Sequence, residues 1–173
     1  MNNTKKLVLS AIFLALGILI PYIFHALGIG GSIFLPMHIP VLIAGFFIGP
    51  FYALIVGFLS PILSGILTGM PPFAPVPIAL MMAFELATYG FLSGLFYEKL
   101  KLNAILSLIM AMIGGRIVYG LAVWIMASFF GFAQLNPWLS IWGGVLTGWP
   151  GLTIQLVFIP TLVFSLRKYT TNG

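Results

Sequence analysis

Two fully charged side chains stand inside long apolar runs of this sequence, Glu85 and Arg116. A charge at bilayer depth costs about 2.5–3.5 kcal/mol on insertion scales, so each must find a partner or border a wet cavity. A carboxylate and a guanidinium suit one another. A guanidinium equally suits the carboxylate of a bound small molecule, which it grips with two parallel hydrogen bonds. Two readings therefore stand side by side: a structural Glu85–Arg116 pair joining neighbouring helices, and an Arg116 at least partly free for an anionic ligand.

The remaining polar groups that composition does not explain are His38, Thr68, Tyr89 and Asn136, together with Trp138 and Trp149. With Arg116 and Glu85 they form the expected substrate-binding set. A tryptophan near a helix end is ordinarily an interface anchor, so the two indoles enter the set only as neighbours of a site. No second His or Cys stands at ligand spacing from His38, and no metal site is expected. The chain has no cysteine and only two carboxylates, Glu85 and Glu98. It contains no phosphate-binding glycine loop, nucleophile elbow or zinc-helix signature. No catalytic residue and no cofactor of its own are therefore expected. A single intramembrane acid is also too thin a supply for a proton or sodium relay, which argues against active transport by this chain alone.

The elements that must position these groups follow from composition. Of 173 residues 61% are hydrophobic and 5% charged, and the mean hydropathy is +1.19. A soluble globule cannot be covered with so little polar surface, and the long uncharged runs are helical spans rather than alternating barrel strands. The fold class is thus an all-α integral membrane bundle. The first run, 7–27, follows Lys5 and Lys6; at about 20 residues it suits a spanning helix better than a signal segment.

Charge sets the number of crossings. Six of the seven basic residues sit beside run ends, at Lys5 and Lys6, Lys99 and Lys101, and Arg167 and Lys168. If all three clusters are cytoplasmic, an even number of crossings separates each from the next. The run 39–69 must then hold two helices, and Gly49-Pro50 is where it divides, because proline cannot continue a hydrogen-bonded ladder. The expected helices are 7–27, 38–49, 51–68, 77–97, 103–130 and 150–166, in one transmembrane domain over 1–173 with both termini cytoplasmic. Pro61 and Pro160 are expected to kink their helices. Counted at about 1.5 Å per residue, Glu85 lies roughly 12 Å from the outer end of its helix and Arg116 roughly 21 Å from the inner end of the next. The two depths agree, so the side chains can meet. The segment from Met70 to Pro77, with four prolines in its last seven residues, reads as a stiff lid on the outer face.

Small residues recur at four-residue spacing as Ala11/Ala15, Gly45/Gly49 and Gly90/Gly94, which puts each pair on one helix face. Such faces pack helices inside a bundle or dock a partner, and Ala11/Ala15 is the pair chosen for docking. The runs Leu35-Pro-Met-His-Ile-Pro-Val-Leu-Ile-Ala-Gly, Leu67-Thr-Gly-Met-Pro-Pro and Ala83-Phe-Glu-Leu-Ala-Thr-Tyr-Gly resemble the substrate-binding S components of energy-coupling-factor (ECF) vitamin transporters, and within them the pantothenate group. The resemblance covers nearly the whole chain. It implies a compact six-helix S-component bundle in the plasma membrane of a prokaryote, a vitamin pocket toward the outside, and Ala11/Ala15 docked on a membrane T subunit. Two partner ATPase subunits would hydrolyse the ATP, and no nucleic acid is involved. Pantothenate carries one carboxylate, for which Arg116 is the natural counter-charge. Folate, a hydroxymethylpyrimidine or niacin are the alternative ligands, and a small membrane enzyme or a ligand-free membrane partner are the alternatives of another class.

Overall fold

In lipid an unsatisfied backbone group costs several kcal/mol, so helix ends must be closed by local means. Asparagine does this three times. Asn2 accepts from Lys5 N–H at 3.2 Å and opens α1 (Asn3–Ala26). Asn103 accepts from Leu106 N–H at 2.8 Å and opens α6 (Ala104–Phe129). Asn136 accepts from Leu139 N–H at 3.1 Å at the start of α7 (Pro137–Thr170). Between them lie α2 (Gly31–Phe34), α3 (His38–Ile48), α4 (Pro50–Thr68) and α5 (Ile78–Gly94), the last continuing into a π-helical turn over Leu95–Lys99. This computed structural model describes residues 1–132 and 134–170, with side chains described to residue 166. Among the described residues there is no strand, and six helical stretches are long and apolar enough to cross a membrane.

The run 39–69 divides at Gly49, whose φ of +84° breaks the helix and lets Pro50 begin the next one at its first turn. Of the two, α3 is the shielded member. Nine of its eleven residues are buried, His38 and Pro40 among them. The last helix departs from expectation. It begins at Pro137 instead of near Pro150 and runs on through Pro150 and Pro160. A proline removes one N–H and crowds one carbonyl, whereas ending a helix inside lipid would expose several backbone groups at once. Trp138 and Trp142 consequently belong to a helix and not to a connection. Arg167 and Lys168, expected to complete the basic end, have side chains outside the described residues.

Glycine decides which helices meet closely. A Cβ on Gly57 would run into the backbone of Leu86, and one on Gly90 into the backbone of Ala53, so α4 and α5 touch main chain to main chain. Gly45 faces the Gly90 carbonyl in the same way from α3, and the Ser93 hydroxyl donates to the Leu42 carbonyl at 3.3 Å. Thus Gly45 and Gly90/Gly94 serve packing within the bundle. Ala11 and Ala15 are exposed on α1. Gly148 and Gly151 seat α2 against α7: a Cβ on Gly151 would sit 2.5 Å from the Phe34 carbonyl oxygen. Gln155 of α7, fully buried, donates to the carbonyl of Leu35 at 3.4 Å and fixes the α2–α3 connection from the same side. At the opposite end of the bundle, Lys6 and Glu98 converge on Gly49, and the Lys6 ammonium lies 5.7 Å from the Tyr52 ring centroid.

Candidate binding cavity

A cavity of about 570 Å³ opens at the end of the bundle remote from Lys6 and Glu98, among α1, α2, α3, α5, α6 and α7 and under Met70, Pro71 and Pro72. Its floor is built by three helices. From α5 comes Glu85; Tyr89, one turn on and on the same face, does not itself line the cavity, but its hydroxyl donates to Glu85 Oε1 at 2.9 Å. From α6 comes Arg116, whose Nη1 lies 3.1 Å from the same oxygen. From α3 comes His38, its first residue, with Nε2 at 3.9 Å from Glu85 Oε2 and its ring 5.3 Å from that of Tyr89. Gly115 makes the arrangement possible, since any Cβ there would overlap the Tyr89 ring.

The geometry answers the question the sequence left open between a structural pair and a free cation. Glu85 is 2% exposed and the Arg116 side chain 13%, so the pair is withdrawn from solvent. Yet the pairing uses only one corner of the guanidinium. Arg116 Nε and Nη2 are buried and have no hydrogen-bond partner among the described residues, as is also true of both ring nitrogens of His38. A buried donor without an acceptor is expensive, and native structures rarely leave one so. The Nε–Nη2 edge has the spacing that takes a carboxylate in two parallel bonds. The floor therefore combines one internally satisfied ion pair with several polar atoms still lacking partners.

Four expected site residues, Arg116, Glu85, His38 and Tyr89, are thus brought together. Four others lie elsewhere. Thr68 turns its hydroxyl to the carbonyls of Ser64 and Met70 at 2.8 and 3.2 Å, closing the end of α4. Asn136 is spent on its helix cap. Trp138, 73% exposed, does not line this cavity but borders an apolar groove of about 960 Å³ between α6 and α7, which has Arg116 in common with it. Trp149 is 64% exposed and faces neither space. Amphipathic residues near a helix end can face lipid as readily as a site, and distance along the chain does not tell which.

The cavity also holds residues that the sequence reading passed over: His25, Tyr119, Ser140, Thr147 and the glycines 143 and 144. Tyr119 stood three residues after Arg116, a spacing that shares a helix face, and was legible on that ground. Ser140, Gly143, Gly144 and Thr147 depend on the α7 helix starting before Pro150, and His25 on which face of α1 turns to the cavity. No group of three or more His, Cys, Asp or Glu able to hold a metal occurs among the described residues.

A family model described as ECF transporter, substrate-specific component matches residues 5–166. No curated protein and no solved structure gives a match.

Proposed function

The chain belongs to the substrate-specific components of ECF transporters, and on that premise we propose that it captures pantothenate outside the cell. Members of this family are small-molecule-binding subunits of importers, not enzymes, and they work with a T subunit and ATPase subunits. The observation that carries the substrate reading is that Arg116, a residue of the cavity lining, keeps its buried Nε and Nη2 without a hydrogen-bond partner among the described residues. A single carboxylate on these two nitrogens supplies the acceptors that Glu85 leaves unfilled. The volume of about 570 Å³ lies within the range of about 300–1,000 Å³ usual for small-molecule sites. Above the floor the lining turns to neutral hydrogen-bonding groups, Ser32, Ser140 and Thr147, suited to the hydroxyls and amide of pantothenate. Lys5, Lys6, Lys99 and Lys101 favour placing the opposite end of the bundle in the cytoplasm, with the cavity facing outward in the plasma membrane.

Calorimetric titration of the purified protein with pantothenate, folate, niacin, a hydroxymethylpyrimidine and thiamine tests the substrate. Saturable binding of pantothenate in preference to the others is the expected result. Preference for another compound overturns the substrate while leaving the transporter role in place. Delivery is proposed to run through Ala11 and Ala15, exposed on α1. Replacing both with Trp is expected to abolish co-purification with the T subunit and ATPases while pantothenate binding stays within about twofold, since bulk at a small-residue face blocks helix approach. Retained co-purification places the docking face elsewhere.

A further inference from the structure

Glycine is the poorest helix former after proline, yet two stand side by side, Gly143 and Gly144, in the part of α7 that borders the cavity. Their surroundings differ. A Cβ on Gly144 would lie 2.8 Å from Arg116 Nη1, 3.5 Å from Cζ and 3.8 Å from Nη2. The guanidinium thus rests on the bare backbone of Gly144, in the place a side chain would take. A Cβ on Gly143 would meet nothing within 4 Å, although this residue also lines the cavity. Its missing side chain is open volume.

We propose that Gly144 is the positioning residue for Arg116 and Gly143 the size-determining position of the same cavity, an inference that rests on the substrate reading above. Three features fix the guanidinium. Glu85 holds Nη1 at 3.1 Å, the α6 backbone sets the root of the side chain, and Gly144 lets the planar group lie against α7. With Nη1 so engaged, the buried and unpartnered Nε and Nη2 are the donors left for the ligand's carboxylate. The neutral body of the ligand then passes α7 where Gly143 leaves room. Adjacent helix residues point about 100° apart, which is how two neighbours divide these tasks.

Gly144→Ala presses on the far end of the Arg116 side chain and not on backbone, so the bundle accepts it only by a shift of the guanidinium. The affinity for pantothenate is expected to fall about tenfold. That for pantothenol, which has an alcohol in place of the carboxylate, is expected to stay within about twofold. A merely structural role for Gly144 would move both ligands together or neither, and either result overturns the assignment. Gly143→Ala and Gly143→Leu are expected to weaken pantothenate progressively with side-chain size, while the melting temperature holds or rises because both residues favour the helix. Full affinity in Gly143→Leu overturns the size role. If the wild type prefers another compound of the panel, the substrate reading fails alone. Gly143→Leu must still abolish binding of that compound, and the size role is wrong if it does not.

Discussion

Two stretches of α5, its middle and its last turn, are packed by opposite rules. Around Gly90 and Gly94 the helix meets α3 and α4 backbone to backbone, with no room for a methyl group and with Ser93 satisfied by the Leu42 carbonyl. About one and a half turns before Gly90, at Glu85, the same helix borders a cavity where four nitrogens of Arg116 and His38 have no hydrogen-bond partner among the described residues. In the first region the Ser93 hydroxyl is satisfied within the chain, and in the second several nitrogens have no hydrogen-bond partner among the described residues. The lesson is that one helix divides the labour: its glycine stretch fixes where the helices stand, and that placement lets the polar cluster around Glu85 remain incomplete without collapsing.

Variants in the two stretches should therefore separate folding from binding. The largest effect is expected for Gly57→Val or Gly90→Val, which put side-chain carbon onto the backbone of Leu86 or Ala53. Overpacking of this kind costs about 1–3 kcal/mol, and more where backbone must move, so the purified material should lose its monodisperse peak in size-exclusion chromatography. A well-folded Gly90→Val with normal binding would dissolve the contrast. Next comes Arg116→Ala, which both breaks a buried pair, at about 3–5 kcal/mol of stability, and removes the ligand's counter-charge, at about 2–5 kcal/mol of binding. Glu85→Gln together with Arg116→Gln sharpens the point. This double variant should recover most of the melting temperature without recovering pantothenate binding. Recovery of both would return the pair to a purely structural role.

A smaller change is expected from Ser93→Ala, which deletes one hydrogen bond in the dry seam and should lower stability by about 0.5–1.5 kcal/mol in thermal unfolding, with affinity unchanged. The smallest belongs to Thr68→Ala and Trp138→Ala. Both residues lie off the cavity, so pantothenate affinity by calorimetry should shift less than about twofold; a large loss at Trp138 would join the α6–α7 groove to the site.

How far the site could be read beforehand depended on which coordinate of each residue was needed. Depth was available, because rise per residue and bilayer thickness are fixed; it brought Glu85 and Arg116 to one level, and they stand 3.1 Å apart. The four-residue spacing of Tyr89 to Glu85 carries their shared helix face. Azimuth was not available. Spans that are apolar all round carry no polar–apolar stripe to show which face looks inward, which hides that Thr68 turns from the cavity and His25 toward it; Trp138, Trp149, Gly143 and Gly144 fall in the stretch that reads as a connection before Pro150 and is helix instead.

By itself, then, the sequence determined a membrane bundle, the division of the second run at Gly49-Pro50, and the two charges that had to meet, because hydrophobic length, proline chemistry and the cost of burying a charge are local properties. Only the tertiary structure decided that α7 passes unbroken through Pro150 and that His38 joins the cavity floor. It also decided that the guanidinium of Arg116 rests on Gly144. These depend on how each helix is turned about its axis, and in lipid that is set by the close fit of small residues between helices.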